Sequence, residues 1–357
     1  MANHETYEKL DTGFINKANI LIEALPYIQR LWGKTIVIKY GGNAMKNPEL
    51  THKILEDVTL LKYVGINPIL VHGGGPEINS MLKRVGVESS FHNGLRITDD
   101  ATMEIVQMVL AGKLNKNIAS DIGRLGGKAI GLCGKDAELI KVKKKPPLAD
   151  GVDLGHVGDI VSINAKLLNA LCADEYIPVI SSVGTDEFGQ SYNINADTAA
   201  SAVATALKAE KLIFLTDIDG VRSDPEDPAS LFAVLSTEQA MNLIADGTIS
   251  GGMIPKVTAC VDAIEKGVKR VHIINGTIPH PILLEIFTDK GIGTMFEKAV
   301  PSAMLASPCL RAVPAPTTLR LACGLCPHPL RFALLLMASH AQCAPMPCLA
   351  SIDILPF

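Results

Sequence analysis

Twice in this chain an apolar strand pattern ends in glycines that run toward a helix. The first is Ile36-Val37-Ile38-Lys39-Tyr40-Gly41-Gly42-Asn43, and the second is Ile69-Leu70-Val71-His72-Gly73-Gly74-Gly75-Pro76. Glycine lets backbone approach a ligand closely, and the N–H groups that open a helix favour an anion. Two such turns in one domain imply two anionic groups held near each other. Phosphoryl transfer needs little else: positioned oxygens, positive charge and a metal.

The wider pattern agrees. Between 35 and 298, apolar strand candidates at 35–40, 68–72, 129–133, 178–183, 211–216 and 270–275 alternate with helical periodicity. The helical stretches lie near 49–64, 76–85, 99–124, 164–175, 196–208, 236–246, 255–267 and 280–288. Continuous apolar strands between helices predict a mostly parallel sheet covered on both faces, an α/β fold. The stretch 137–163 is charged, holds Pro146-Pro147 and several glycines, and reads as hairpins at an edge or over a pocket.

Residues 1–34 form an N-terminal arm. Ile15, Ala18, Ile22 and Leu25 make one helical face. Pro26 bends or ends that helix, and Ile28, Leu31 and Trp32 continue its apolar surface. The arm either caps its own domain or docks on another subunit. Residues 299–357 differ in kind. They carry five of the 8 cysteines, nine of the 21 prolines and a single acid, Asp353. Cys323, Cys326 and His328, with Cys343 and Cys348, can be drawn as a zinc site, but no regular pattern flanks them. The expectation is a disordered or loosely attached segment outside the fold, with no metal site belonging to the protein.

Composition removes other classes. Net charge is -4 over 357 residues, with both signs spread along the chain, so no basic stripe marks a nucleic-acid partner. The start, MANHETYEKLDTG, lacks a charged-then-apolar signal pattern, and no run is long enough to span a bilayer. A cytoplasmic protein without a membrane partner is expected. Cys133, Cys172 and Cys260 read as buried free thiols.

Several side chains stand out against this frame. Lys39 ends an apolar strand, where an ammonium is costly unless it emerges toward a ligand. A snorkelling strand-end lysine is the bland alternative, and the adjacent glycines favour function. Lys256 follows Ser250-Gly251-Gly252-Met253-Ile254-Pro255 in a first helical turn, against the helix dipole. Two lysines on opposite sides of a transferring phosphoryl group would offset the charge on its oxygens. Asp197, in Tyr192-Asn193-Ile194-Asn195-Ala196-Asp197-Thr198, either caps the next helix or orients both lysines. Asn193 suits a substrate carboxylate or amide. Arg96, in Asn93-Gly94-Leu95-Arg96-Ile97-Thr98, suits bidentate capture of a carboxylate, with a surface ion pair as the alternative. Thr216-Asp217-Ile218-Asp219-Gly220-Val221 ends a long apolar strand, where open α/β sheets bind ligands, and suits a nucleotide.

Taken together, VIKYGGNAM, PILVHGGGPEIN, NGLRITD, AIGLCGKD, YNINADTAA, LTDIDGV and SGGMIPKV resemble the amino acid kinase family, over about residues 10–297. The resemblance is closest to its arginine-sensitive branch, which phosphorylates the γ-carboxylate of N-acetyl-L-glutamate with MgATP, and the wording is nearest cyanobacterial and plastid enzymes. It implies a three-layer α/β/α sandwich with a mainly parallel sheet of about eight strands. The acyl amino acid half would span 35–190 and the nucleotide half 191–298. By the same resemblance Lys39 and Lys256 stabilise the transition state and Asp197 organises them. Gly74, Gly75, Arg96 and Asn193 contact N-acetylglutamate. Gly41, Gly42 and Gly73 face phosphates. Thr216, Asp217, Ile218, Asp219, Gly220, Val221 and Arg222, with Thr248, Ile249 and Ser250, form the nucleotide segment. Magnesium comes bound to ATP.

The resemblance also implies an inhibitory L-arginine site at Lys211, His272, Glu285 and Gly291. It implies a homo-oligomer, dimer or hexamer, interlaced by the N-terminal helix. The nitrogen-regulatory P-II protein becomes a candidate partner, and the plastid stroma a candidate location in a plant or alga. One departure concerns the effector segment: the family's Asp-Gly-Arg appears as Asn275-Gly276-Thr277, which puts the strength of arginine inhibition in question. Alternatives are a kinase acting on carbamate, aspartate, glutamate or UMP, and a non-catalytic arginine or P-II sensor that keeps the fold. Intact Lys39, Asp197 and Lys256 argue against the sensor.

Overall fold

The computed structural model describes residues 12–45, 47–289 and 291–299. The expectations for the 299–357 tail fall almost wholly outside the described residues, as does the start of the N-terminal arm.

Eight strands form the main sheet: β1 (Thr35–Tyr40), β2 (Asn67–His72), β3 (Ala129–Leu132), β4 (Ile177–Ser181), β5 (Lys211–Thr216), β6 (Val234–Ser236), β7 (Arg270–Asn275) and β8 (Thr294–Glu297). Their spatial order is β6-β8-β7-β5-β1-β2-β4-β3. Every neighbouring pair is parallel except β7 with β8. Helices cover both faces, as a parallel sheet requires. The other six strands, β1 to β5 and β7, match the apolar runs within a residue or two. The short strands β6 and β8, at one end of the sheet, have no counterpart among the apolar runs, because each offers only one fully apolar stripe residue to the core, Leu235 and Phe296.

Side-chain alternation decides which residue meets which layer. Val37, Leu212, Phe214 and Ile273 pack with Ala199, Ala200, Val203, Val257 and Cys260 of helices Ala196–Ala206 and Met253–Glu265. Ile36, Ile38, Ile213 and Ile274 pack on the other face with Ile54, Val58, Ile118 and Ile282 of helices Pro48–Tyr63, Asn115–Arg124 and Pro281–Ile286. Lys39 shares the parity of Val37, so it belongs to the face that carries helix Ala196–Ala206.

The 137–163 stretch does form a hairpin over a pocket. Strands Ile140–Lys144 and Gly158–Ile163 pair antiparallel in a four-stranded sheet with Val183–Thr185 and Ser191–Asn193. Two bridges, Val157 to Asn193 and Gly155 to Thr98, tie this flap to the segments that hold Asn193 and Thr98. Helix 99–124 is interrupted: Asp100–Gln107 is α-helical, Met108–Leu114 is π-helical, and α-helix resumes at Asn115.

The N-terminal helix runs Thr12–Leu31 straight through Pro26, so it does not end there. The missing proline N–H costs one backbone hydrogen bond in a stretch open to water. Its apolar face is not covered by the described residues: Ile15, Ile22 and Leu25 are 46%, 68% and 43% exposed, and Ile20 and Leu21 are also exposed. Leu31, by contrast, is buried in the core. Cys172 and Cys260 are buried free thiols and Cys133 is half-buried.

Candidate active site

Strand order reverses direction beside β1: β2 lies on one side of it and β5 on the other. Such a switch point opens a crevice at the carboxyl ends of the strands. Lys39, Gly41, Gly73, Ser182, Asp217 and Asn275 all sit at or just past those ends.

At the centre, the Asp197 carboxylate stands between two ammonium groups. Oδ1 is 2.9 Å from Lys39 Nζ and Oδ2 is 3.9 Å from Lys256 Nζ. Asp197 is free to do this because it is not the helix cap. Asn195 holds that place, its Oδ1 accepting from the N–H groups of Asp197 at 2.9 Å and Thr198 at 3.1 Å. Lys256 closes the first turn of helix Met253–Glu265, which has no acid in that turn and no side-chain cap. The Lys39 side chain is only 13% exposed, and a Cβ added at Gly41 would lie 3.4 Å from its Nζ. The first glycine turn therefore wraps the ammonium.

On one side of this trio lies a cavity of about 270 Å³. It is lined by Gly41, Gly42, Gly73, Gly74, Gly75, Arg96 and Asn193, together with Lys39 and Asp197. Gly74 has no room for a side chain: a Cβ would sit 2.3 Å from Leu114 Cδ1 and 2.7 Å from Leu110 Cδ2. Arg96 is 6% exposed, and burial lowers its pKa from the ordinary arginine value. Its guanidinium lies 4.5 Å over the Phe91 ring, donates to Asn79 Oδ1 at 2.6 Å, and hydrogen-bonds Ser89 Oγ. Arg96 is thus a braced group and not a surface ion pair. Asn193 Nδ2 donates to Thr98 Oγ1 at 3.3 Å, which aligns its amide with the cavity wall.

Two further cavities are lined mostly by residues from Asn195 onward, the first of them at the trio. One, of about 280 Å³, shares Leu95, Asn195 and Asp197 with the first and adds Lys145, Phe214, Pro255 and Lys256. The next, of about 310 Å³, is lined by Asp217, Ile218, Asp219, Gly220, Val221, Arg222, Thr248, Ile249 and Ser250, as well as Met253 and Asn275. The candidates of segments 216–222 and 248–250 are therefore gathered in one place, apart from Thr216, while the phosphate-facing candidates Gly41, Gly42 and Gly73 line the first cavity. Thr216 is 8% exposed, and its hydroxyl serves the turn, lying 3.3 Å from Ile218 N and 3.2 Å from Ile274 O.

Sequence reasoning did not single out Lys145, Asn275, Asn79 or Ser89. The sequence pattern groups Asn275 with the effector segment, yet its Nδ2 donates to Asp219 Oδ1 at 2.8 Å inside the cavity lined by 217–222 and 248–250. The available signal was its place at the carboxyl end of β7, beside β5. Lys145 lies in the flap and pairs with Asp159 at 2.8 Å, and no local pattern announces that.

The four effector candidates also meet, on the opposite face of the sheet. Lys211 Nζ is 2.8 Å from His272 Nε2, and His272 Nδ1 is 2.6 Å from Glu285 Oε1. Glu285 Oε2 accepts from Ile292 N at 2.7 Å and Gly293 N at 3.2 Å. Gly291, at φ +60, would press a Cβ to 2.8 Å from that oxygen. Burial draws Lys211 down to about 8 and His272 down to about 4. Burial pushes the Glu285 carboxyl upward, but the hydrogen bond from His272, the Ile292 N–H and the charge of Lys211 outweigh it, and its pKa lies below the ordinary value. Both Glu285 oxygens are engaged in this arrangement. Among the described residues, no group of three or more His, Cys, Asp or Glu side chains forms a metal-binding cluster.

An α/β/α sandwich with two lysines bridged by a carboxylate at its switch point, flanked by glycine turns, defines a class of phosphoryl-handling protein. The model of the amino acid kinase family matches residues 34–275, and the chain belongs to that family. It is 58% identical over 291 residues to the acetylglutamate kinase of Caldicellulosiruptor saccharolyticus, covering 81% of this chain and 99% of the relative. To the acetylglutamate kinase of Heliobacterium modesticaldum it is 55% identical, covering 80% and 99%. Among solved structures, N-acetylglutamate synthase from Neisseria gonorrhoeae, complexed with coenzyme A and N-acetyl-glutamate, aligns at 27% identity with a TM-score of 0.70. That alignment covers 79% of this chain and 64% of the synthase chain. Carbamate kinase from Giardia lamblia bound to AMP-PNP aligns at 17% identity with a TM-score of 0.56, a likeness of fold.

Proposed function

We propose that this chain is an ATP-dependent kinase of N-acetyl-L-glutamate, making N-acetyl-L-glutamyl 5-phosphate in the second step toward arginine. The observation that carries the reading is the Asp197 carboxylate between Lys39 and Lys256, where the cleft lined by Arg96 and Asn193 meets the cavities beyond. A γ-carboxylate oxygen of the acyl amino acid attacks the γ-phosphorus of ATP, the bond to the β–γ bridging oxygen breaks, and ADP leaves. A carboxylate is already a nucleophile, so no general base is required.

In this reading Lys39 and Lys256 offset charge on the transferring phosphoryl group, and Asp197 holds their ammonium groups in place. Arg96, Asn193 and the amides of Gly74 and Gly75 hold the acyl amino acid. Gly41, Gly42 and Gly73 admit phosphate oxygens to backbone distance. The segments 217–222 and 248–250 hold the nucleotide, which brings its magnesium on the phosphates. Thr216 supports that turn from within.

The reading extends to regulation. The exposed face of helix Thr12–Leu31 suits docking on further copies of the chain, in a dimer or hexamer. L-arginine is proposed as inhibitor at Lys211, His272, Glu285 and Gly291, where its guanidinium competes with His272 for Glu285. P-II is the partner proposed to relieve that inhibition. The proposed location is the cytoplasm, or the plastid stroma in a plant or alga; no described helix is long and apolar enough to cross a membrane.

The test is ATP-dependent phosphorylation of N-acetylglutamate trapped as the hydroxamate, with and without arginine, beside Lys39→Ala. Activity absent from Lys39→Ala and suppressed by arginine supports the whole reading. Activity indifferent to arginine keeps the kinase and discards the effector site. Equal background in both proteins supports a non-catalytic sensor. Turnover of carbamate, aspartate or glutamate instead overturns the substrate.

A further inference from the structure

The second glycine turn rests on a buried polar device that no step of the proposed reaction uses. His72 is the last residue of β2 and is 0% exposed. By alternation it shares the face of Leu70, away from Lys39 and toward helix Asn115–Arg124. Its Nδ1 is 2.9 Å from the carbonyl oxygen of Gly73, and its Nε2 is 3.1 Å from Asn115 Nδ2.

The proton positions follow from the partners. Asn115 Nδ2 also lies 2.8 Å from Val179 O, which can only accept, so the amide orientation is settled. Nδ2 therefore donates to His72 Nε2. The imidazole is neutral, with its proton on Nδ1, and gives that proton to the Gly73 carbonyl. Burial holds the ring's pKa down to about 4, in keeping with a neutral form.

Asn115 is itself locked. It is 0% exposed, and a Cβ at Gly131 would lie 2.2 Å from its Oδ1, so only glycine at 131 leaves it room. It follows directly on the π-helical Met108–Leu114, which brings Leu110 and Leu114 against Gly74. One helix thus steadies Gly73 through His72 and walls Gly74 with two leucines. Gly73 N donates to Tyr40 O at 3.1 Å, tying the second glycine turn to the first.

We propose that His72 and Asn115 are positioning residues that hold the Gly73–Gly75 turn in register for the transferring phosphoryl group and the acyl carboxylate. The inference rests on the kinase reading above and adds residues that touch neither substrate.

The test compares His72→Phe, which keeps ring volume but loses both hydrogen bonds, with His72→Gln, which can donate to Gly73 and accept from Asn115. A core truncation of similar thermal cost, Val58→Ala, is the control. With N-acetylglutamate, His72→Phe should lose roughly 10- to 100-fold in kcat. The Michaelis constant for ATP should stay within about twofold, and His72→Gln should recover most of the loss. A wild-type kcat in His72→Phe, or a loss no greater than in Val58→Ala, overturns the proposal.

Two readouts do not need turnover. Nitrogen-15 NMR of the wild-type protein at pH 7 should find the His72 proton on Nδ1; a proton on Nε2, or an imidazolium, overturns the proposal even where His72→Phe fails to fold. Hydrogen exchange across 72–76 should be roughly tenfold faster in His72→Phe than in Val58→Ala, with equal rates counting against it. If the wild-type protein leaves N-acetylglutamate untouched, the kinase reading falls, and these two measurements still judge the positioning.

Discussion

Two charged trios lie on opposite faces of the same sheet, and they do opposite things with a carboxylate. In the cleft, Asp197 sits between Lys39 and Lys256, with the lysines 13% and 36% exposed. Across the sheet, Lys211, His272 and Glu285 are 5%, 1% and 8% exposed, and each hydrogen-bonds the next. The cleft trio carries an excess of positive charge beside two glycine turns, one of which has no space for a side chain at Gly74. The buried trio balances one cation against one anion through a neutral ring. Excess charge at an open site is a binding device. Balanced charge in the core supports the fold while no ligand is bound, because an unpaired ion there costs several kcal/mol, and the arginine proposed above would have to supply a cation in exchange. Residue type does not separate the two, since each has lysine and a carboxylate. Solvent access and charge balance do.

The sharpest test of this contrast is stability. Glu285→Ala leaves Lys211 buried without its anion and should cost about 3–5 kcal/mol in urea unfolding. A cost under about 1 kcal/mol would mean that the trio is not a matched pair in solution. Lys256→Ala should do the reverse. It should lower kcat roughly 10²- to 10³-fold, with a smaller change in Michaelis constants, because its interaction is realised mainly in the transition state. Its urea midpoint should barely move. An unchanged kcat would overturn the catalytic role proposed for Lys256.

The pH dependence of stability separates the faces next. His272 has a folded pKa of about 4 against an ordinary 6.5. Between those values the unfolded chain binds the extra proton, so stability is lost as pH falls from 6.5 toward 4, by on the order of 3 kcal/mol. His272→Gln lacks that proton site. The stability difference between wild type and His272→Gln should therefore shrink across this window, and a constant difference would show that the ring is not held neutral. The smallest effect is expected at the substrate end. Arg96→Ala should raise the Michaelis constant for N-acetylglutamate by roughly tenfold or more, through loss of a charge-assisted contact. A change confined to ATP would place Arg96 with the other substrate.

The two sites were not equally legible in the sequence. Lys39, Asp197 and Lys256 each stood in a local context that physical chemistry disfavours without a ligand: a strand-end lysine before glycines, an acid crowded by asparagines, a lysine against a helix dipole. Arg96 was legible as a candidate for a carboxylate, but its brace of Asn79, Ser89 and Phe91 was not. Asn275 groups with the effector segment by its place in the sequence, whereas the sheet delivers its side chain to Asp219. The uncovered face of the N-terminal helix was legible as apolar, and the structure decided that its own domain leaves it open.

By itself the sequence determined the alternation of strand and helix, the glycine turns and the residue types able to grip phosphate and carboxylate, because these follow from local periodicity and backbone sterics. Only the tertiary structure decided which lysine faces the cleft and which the core, and that His72 and Asn115 stand beneath a turn 43 positions apart in the chain. Those outcomes depend on strand parity and sheet order, which bring together residues that no local pattern relates.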